Sequence, residues 1–178
     1  VEGHSTDGTL EALLQAQRRF PDRDITVLRQ DGNGMGDAIR KGFEEAGGDI
    51  VMILDADLST APEALPRFYE ALAEGYCEFA LGSRLVYPMP AQAMQPLNMI
   101  ANIVFGRAFS FLLGQQVKDT LCGTKALWRR DYERIGWQRA YFGSVDPFGD
   151  FDLVLGAARL SLKMLEIPVQ YRQRVYGA

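Results

Sequence analysis

Apolar positions along the chain fall into two alternating periods. Leu10, Leu13, Leu14 and Ala16 recur at helical spacing behind the turn-forming Ser5-Thr6-Asp7-Gly8-Thr9, which predicts a first helix from about Leu10 to Phe20. Ile25 to Arg29 is short and β-branched and reads as a strand; the glycine-rich Gln30 to Gly36 leads into a helix from about Asp37 to Ala46. Ile50 to Leu54 is a continuous apolar run of the kind a buried strand carries. Pro62 then opens a helix whose Leu65, Phe68, Tyr69 and Leu72 share one face, and Glu78 to Leu81 is a further short strand.

Beyond Arg84 the pattern changes. A long apolar helix is predicted from about Ala93 to Leu113, then a turn-rich segment, Lys118 to Tyr132, and a glycine-broken stretch, Tyr141 to Asp152. A helix from about Asp152 to Leu160 and a strand from Met164 to Tyr171 follow. Alternating strands and helices predict an α/β layer structure with a mostly parallel central sheet flanked by helices, and such sheets bind ligands at the carboxyl ends of their strands. Asp55 and Asp57 would then emerge from a buried strand at the ligand-binding edge. No internal repeat or linker is visible, so residues 1–178 read as one domain.

Composition narrows the function. A chain that is 47% hydrophobic and 24% charged buries a substantial core, which sets disorder aside. The net charge of −4, with both signs interspersed, offers no broad basic field for nucleic acid. Two cysteines, Cys77 and Cys122, and the single His4 build neither a disulfide framework nor a zinc-type cluster, and they suit a reducing compartment. No signal peptide follows Val1, which reads as the tail of a truncated strand. The most apolar stretch, Met99 to Leu113, is interrupted by Asn102, Arg107 and Ser110 and falls short of the roughly 18 to 20 residues that cross a bilayer.

The candidate chemistry begins with Asp55 and Asp57, which share one face of an extended chain. Oxygen ligands of this kind suit Mg²⁺ or Mn²⁺, whose shells are completed by water and substrate phosphate; the alternative is two solvated loop carboxylates. Arg84 follows a strand, where its guanidinium meets either phosphate oxygens, two at a time, or a surface carboxylate. Arg172 and Arg174 alternate to the same side after the last strand, and for Arg172 a solvated strand end is the preferred reading.

These residues sit within "VEGHSTDGT", "ILDADLS", "GSRL", "DTLCGTKALWRR" and "EIPVQYRQRVYG". In order and approximate spacing, the five segments resemble the family 2 glycosyltransferases of the GT-A fold, especially the polyprenyl-phosphate sugar transferases that include the dolichyl-phosphate mannose synthases. The resemblance implies a nucleotide-sugar donor, a divalent ion at its diphosphate, and inverting transfer to an acceptor. It implies that Glu2 contacts the nucleotide, the alternative being an exposed strand-end glutamate. Asp55 would contact the ribose or a metal-bound water, Asp57 would ligate the metal, and Arg174 would lie near a donor or acceptor phosphate. Asp119 would stand beside the acceptor as base or orienting group, the alternative being a turn aspartate. Asp150 and Asp152 would lie near the acceptor, or else serve as helix N-terminal carboxylates. The long apolar helix would lie on the acceptor side, its Met99, Ile103, Phe105, Phe109 and Leu112 meeting lipid or packing into the core.

Departures from the family pattern qualify this. Met35 stands where the family often has a lysine, leaving Arg40 or Lys41 as the substitute cation, and Ser59 stands where the mannose synthases have a glutamine. The resemblance also implies a first strand ahead of Val1 and a tail beyond Ala178, so the catalytic domain reads as truncated at both ends. The expected function is an inverting, nucleotide-sugar-dependent hexosyl transfer to a polyprenyl phosphate at the cytoplasmic face of a membrane. Two alternatives remain: a haloacid-dehalogenase-like phosphohydrolase, which also ends a strand in two aspartates, and a non-catalytic nucleotide-sugar binding module. Sugar, base and oligomeric state are not legible.

Overall fold

The computed structural model describes residues 1–88, 96–137 and 149–172, with backbone only for 96–101, Trp137 and Asp150. Packing divides the chain into two compact units, the first formed by Val1–Gly47 and joined by Gly149, the second beginning at Gly48. The first contains α1 (Thr9–Arg19) and α2 (Met35–Glu45). Ahead of the N-cap Gly8, the Asp7 carboxylate fixes the turn into α1 by accepting the Thr9 N–H (3.1 Å) and hydroxyl (2.6 Å). Gly34, at φ 86°, supplies the left-handed backbone that turns the chain into α2. The expected strand at Ile25–Arg29 is reduced to one parallel bridge, Glu2 to Arg29, because only Glu2 lies alongside to exchange backbone hydrogen bonds with Leu28 and Gln30.

The second unit carries β1 (Ile50–Ile53), a 3₁₀ turn (Pro62–Ala64), α3 (Leu65–Ala73), β2 (Phe79–Ser83), α4 (Pro96–Leu113), β3 (Lys125–Trp128), α5 (Arg129–Trp137), α6 (Asp150–Arg159) and β4 (Met164–Pro168). The sheet order is β1-β3-β2-β4. The expectation of a mostly parallel sheet holds for strand direction and is corrected for pairing. β2 and β4 pair in parallel, but β3 runs antiparallel between β1 and β2. Three strands therefore point one way and the fourth, inserted among them, points back.

The inserted strand and its helix were expected to be turn. The segment Lys118 to Tyr132 hid them because the strand is four residues long, is preceded by a cysteine, a glycine and two threonines, and carries a charge, Lys125, where a buried strand would show an apolar residue. Phe68, Ala71 and Leu72 of α3 pack on one sheet face against Ala80, Ala126 and Ile167, and all six are buried. Removing three such side chains from water supplies on the order of 5 kcal/mol. Pro62, the expected helix start, begins a 3₁₀ turn, and the α-helix proper starts three residues later at Leu65.

Candidate donor and phosphate site

Strand direction assembles the site. β1, β2 and β4 end at one edge of the sheet, and because β3 runs the opposite way its beginning lies at that edge too: Ile53 and Leu81 both pair with Lys125, and Ser83 pairs with Pro168. The loop after β1, Arg84 after β2, the segment Asp119 to Thr124 before β3 and Tyr171 beyond β4 are thereby neighbours. An antiparallel bridge between Thr60 and Tyr171, and the Arg172 N–H donated to Ser59 O at 2.8 Å, tie the first of these to the last.

Asp55 and Asp57 were expected to share a strand face. β1 ends at Ile53 instead, and the two carboxylates are set by a turn in which the Leu58 N–H reaches Asp55 O at 3.2 Å. Leu58 holds a left-handed φ of 53°, a conformation that costs a leucine about 1 kcal/mol and that clusters at functional sites. Asp57 Oδ1 accepts the Ser59 N–H at 2.9 Å, which fixes that carboxylate at the turn. The Asp55 carboxylate lies against the backbone of Gly123, where a Cβ would fall 2.7 Å from Asp55 Cγ. Both aspartates are partly buried. Among the described residues no three acidic, histidine or cysteine side chains gather as a self-sufficient metal cage. Two carboxylates at a strand edge fit the other mode, in which Mg²⁺ or Mn²⁺ takes one or two protein oxygens and fills its shell from phosphate and water.

Arg84 and Asp119 form the best-defined contact of the edge. Asp119 Oδ2 accepts the Arg84 backbone N–H (2.9 Å) and Nε–H (2.7 Å), and Oδ1 accepts Nη2–H (2.7 Å) together with Asn102 Nδ2–H (2.8 Å). The Asp119 side chain is wholly buried and that of Arg84 is 11% exposed. Burial alone would raise the Asp119 pKa, but the hydrogen bonds and charge of Arg84 outweigh it and hold the carboxyl below its ordinary range. For Arg84 burial opposes the charge and Asp119 restores it, with a net upward shift. The guanidinium also lies 5.2 Å over the Tyr171 ring. The Asp119 oxygens are claimed by four protein donors, three from Arg84 and one from Asn102, a contact that neither expected role, base or orienter of the acceptor, describes.

The remaining expected residues are scattered. Glu2 belongs to the first unit and is buried, which removes the exposed strand-end alternative; its Oε1 accepts the Ser5 N–H and Oε2 lies 3.5 Å from Arg29 Nε. That Ser5 bond, opposed by burial, holds its pKa below the usual value. Met35 opens α2, Lys41 Nζ is paired with Asp31 at 2.7 Å, and Arg40 lies 3.7 Å from Asp37. Asp150 and Asp152 lie in the first turn of α6, Asp152 partly buried. Arg172 is exposed, as preferred, and Arg174 lies outside the described residues.

Asn102 and Lys125 were not anticipated as site residues; a polar residue inside an apolar helix and a lysine inside a strand were the available signals. α4 is held close to the edge because Gly106 leaves room for the backbone of residues 117–118, with Lys118 C 3.0 Å from where a Cβ would stand. Ser110 Oγ accepts the Val117 N–H (2.9 Å) and donates back to Gly106 O or Val117 O. Of the residues expected to meet lipid, Phe105 and Leu112 are exposed, whereas Ile103 is partly buried and Phe109 stacks on Phe151 at 5.5 Å. Val104 and Phe111 complete the outward face, and the Met99 side chain lies outside the described residues. No helix among the described residues is long and apolar enough to cross a membrane.

Comparison with known proteins places this edge in context. A dolichyl-phosphate hexose transferase of Haloferax volcanii is 30% identical over 168 residues, covering 94% of this chain and 68% of that protein. The glycosyltransferase AglJ of the same organism is 28% identical over 179 residues, covering 100% of this chain and 54% of its own length. Glucosyl-3-phosphoglycerate synthase from Mycobacterium tuberculosis, solved with Mn²⁺ and uridine-diphosphate-glucose, matches with a TM-score of 0.63 at 17% identity, over 99% of this chain and 58% of that one. The chain thus spans about half to two-thirds of the length of these relatives, and with the last it shares the GT-A fold. The sequence profile described as glycosyl transferase family 2 matches residues 1–136. The chain belongs to glycosyl transferase family 2.

Proposed function

We propose that this chain carries the catalytic core of an inverting glycosyltransferase that moves a sugar from a nucleotide-sugar donor to a polyprenyl phosphate at a membrane surface. The observation that carries the reading is the convergence at one sheet edge of the Asp55–Asp57 turn with an arginine locked in place by a buried carboxylate. Relatives named for dolichyl-phosphate and polyprenol acceptors support the acceptor class.

In this reading Asp55 and Asp57 would hold Mg²⁺ or Mn²⁺, which when bound would supply charge stabilisation for the leaving diphosphate. Arg84 presents the Nη1 side of its fork to a phosphate, since Nε and Nη2 are turned to Asp119. Asp119 acts as a positioning residue: it keeps the guanidinium rigid, so little reorganisation is needed when phosphate arrives. An acceptor phosphate is already anionic and needs no base. Asp150 and Asp152 then assist at the acceptor side, and Arg174 neutralises charge on a donor or acceptor phosphate. The outward apolar face of α4, with Phe105, Phe111 and Leu112, suits the lipid side of the site.

The test is calorimetric titration with GDP- and UDP-sugars, with and without Mn²⁺, beside an Asp57→Asn variant. Metal-dependent binding abolished in the variant is expected and names the base. Failure of a well-folded protein to bind either nucleotide would sink the reading.

A further inference from the structure

Lys125 is among the largest fully buried side chains, at 1% exposure, yet carries an amine in the middle of a sheet. Its Cα pairs with Ile53 on one side and Leu81 on the other, so it points to the same sheet face as those two, opposite the face where Ala126 and Ala80 meet α3. The β1–β3 pairing ends at Ile53 and Lys125, and the turn that follows brings Asp55 against Gly123. The direction of a Cβ on Gly123 agrees: it would stand 2.6 Å from Asp55 Oδ1. The Asp55 carboxylate therefore fills the space left by the missing side chain of Gly123. The Lys125 ammonium reaches forward along that face and donates to the carbonyl of Cys122. Cation and carboxylate converge on the same peptide.

We propose that Lys125 is a positioning residue for Asp55, its buried ammonium holding this carboxylate in its seat on Gly123. A buried ammonium is tolerated only where acceptors and an anion compensate its lost hydration. Asp55 and the Cys122 carbonyl provide both. Gly123 is the enabling element, because any side chain there would overlap the Asp55 carboxylate. The inference deepens the donor-site reading above, since it concerns how the first aspartate of that site is held.

The test is a double-mutant cycle on the full chain with Lys125→Met, Asp55→Asn and the two together, read as thermal melting. Coupled charges predict that the double variant loses less than the sum of the single losses, by about 4 °C or more. Additive losses overturn the proposal. If Lys125→Met alone does not fold, the proposal requires Asp55→Asn to restore folding in the double variant, and an unfolded double variant overturns it. The second readout is Mn²⁺-dependent binding of the nucleoside diphosphate that the parent chain binds. Lys125→Met weakens it by about tenfold or more if Lys125 positions Asp55, as is usual for partners of metal-binding groups. Unchanged affinity overturns the positioning role. A parent chain that binds no nucleoside diphosphate refutes the transferase reading instead, while the melting cycle still decides the charge pairing.

Discussion

Arg84 and Asp119, 35 residues apart in sequence, are joined by three hydrogen bonds of 2.7 to 2.9 Å, two from the guanidinium and one from the arginine's own backbone. Side chain and main chain of Arg84 are thus fixed by one carboxylate. Removing that carboxylate with Asp119→Ala leaves a buried guanidinium without its counter-charge, which is expected to cost about 3–5 kcal/mol of stability. Chemical denaturation measures it. Arg84→Lys, which keeps the charge and loses the planar fork, is expected to spare most of the stability and to lose at least tenfold in transfer rate.

The same pair sets a pH dependence. The unfolded chain protonates Asp119 near its ordinary value of 3.8, whereas the folded chain does so only below it. The stability that Asp119 contributes is therefore fully present above that ordinary value and is lost as pH falls through the lowered folded-state value. Melting temperature followed from neutral pH to about pH 2 should fall on the acid side, and Asp119→Asn should flatten part of that fall. Glu2, shifted in the same direction, accounts for some of the remainder.

Gly123→Ala tests the seat of Asp55. The inserted methyl overlaps the Asp55 carboxylate and drives it away from its place beside Lys125, so the fold should lose about 1–3 kcal/mol. Displacement of Asp55 should also weaken metal-dependent nucleotide binding by about tenfold. Equal binding in a folded Gly123→Ala variant would show that the seat of Asp55 is immaterial.

Both thiols are predicted to be inert in the native chain. Burial pushes the pKa of Cys77 and of Cys122 up to about 11, so neither is a thiolate at neutral pH. A colorimetric thiol titration should count none in native protein and both after denaturation.

The periodic elements were legible in the sequence and the inserted ones were not. α1, α2, α3 and β1 fall within a few residues of the apolar patterns that predict them, because each buries a single face or a continuous run. β3 and α5 escaped because Lys125 and the Arg129–Arg130 pair imitate a loop, and only tertiary burial reveals otherwise. The aspartates after β1 and Arg84 after β2 were found by their place behind apolar strands. What set their geometry was not: Asn102, Gly123 and Lys125 act across elements, through a register that local spacing does not encode. The strand-face argument for Asp55 and Asp57 reached a plausible pair through the wrong geometry, since the chain had already turned.

Transfer itself tests the central claim most directly. The full chain, Mn²⁺, a short polyprenyl phosphate and the nucleotide-sugar it binds should yield a glycosylated lipid phosphate whose anomeric configuration, read by NMR, is inverted relative to the donor. Release of inorganic phosphate without any glycosylated lipid would contradict the account and point to phosphate-ester hydrolysis at Asp55 and Asp57.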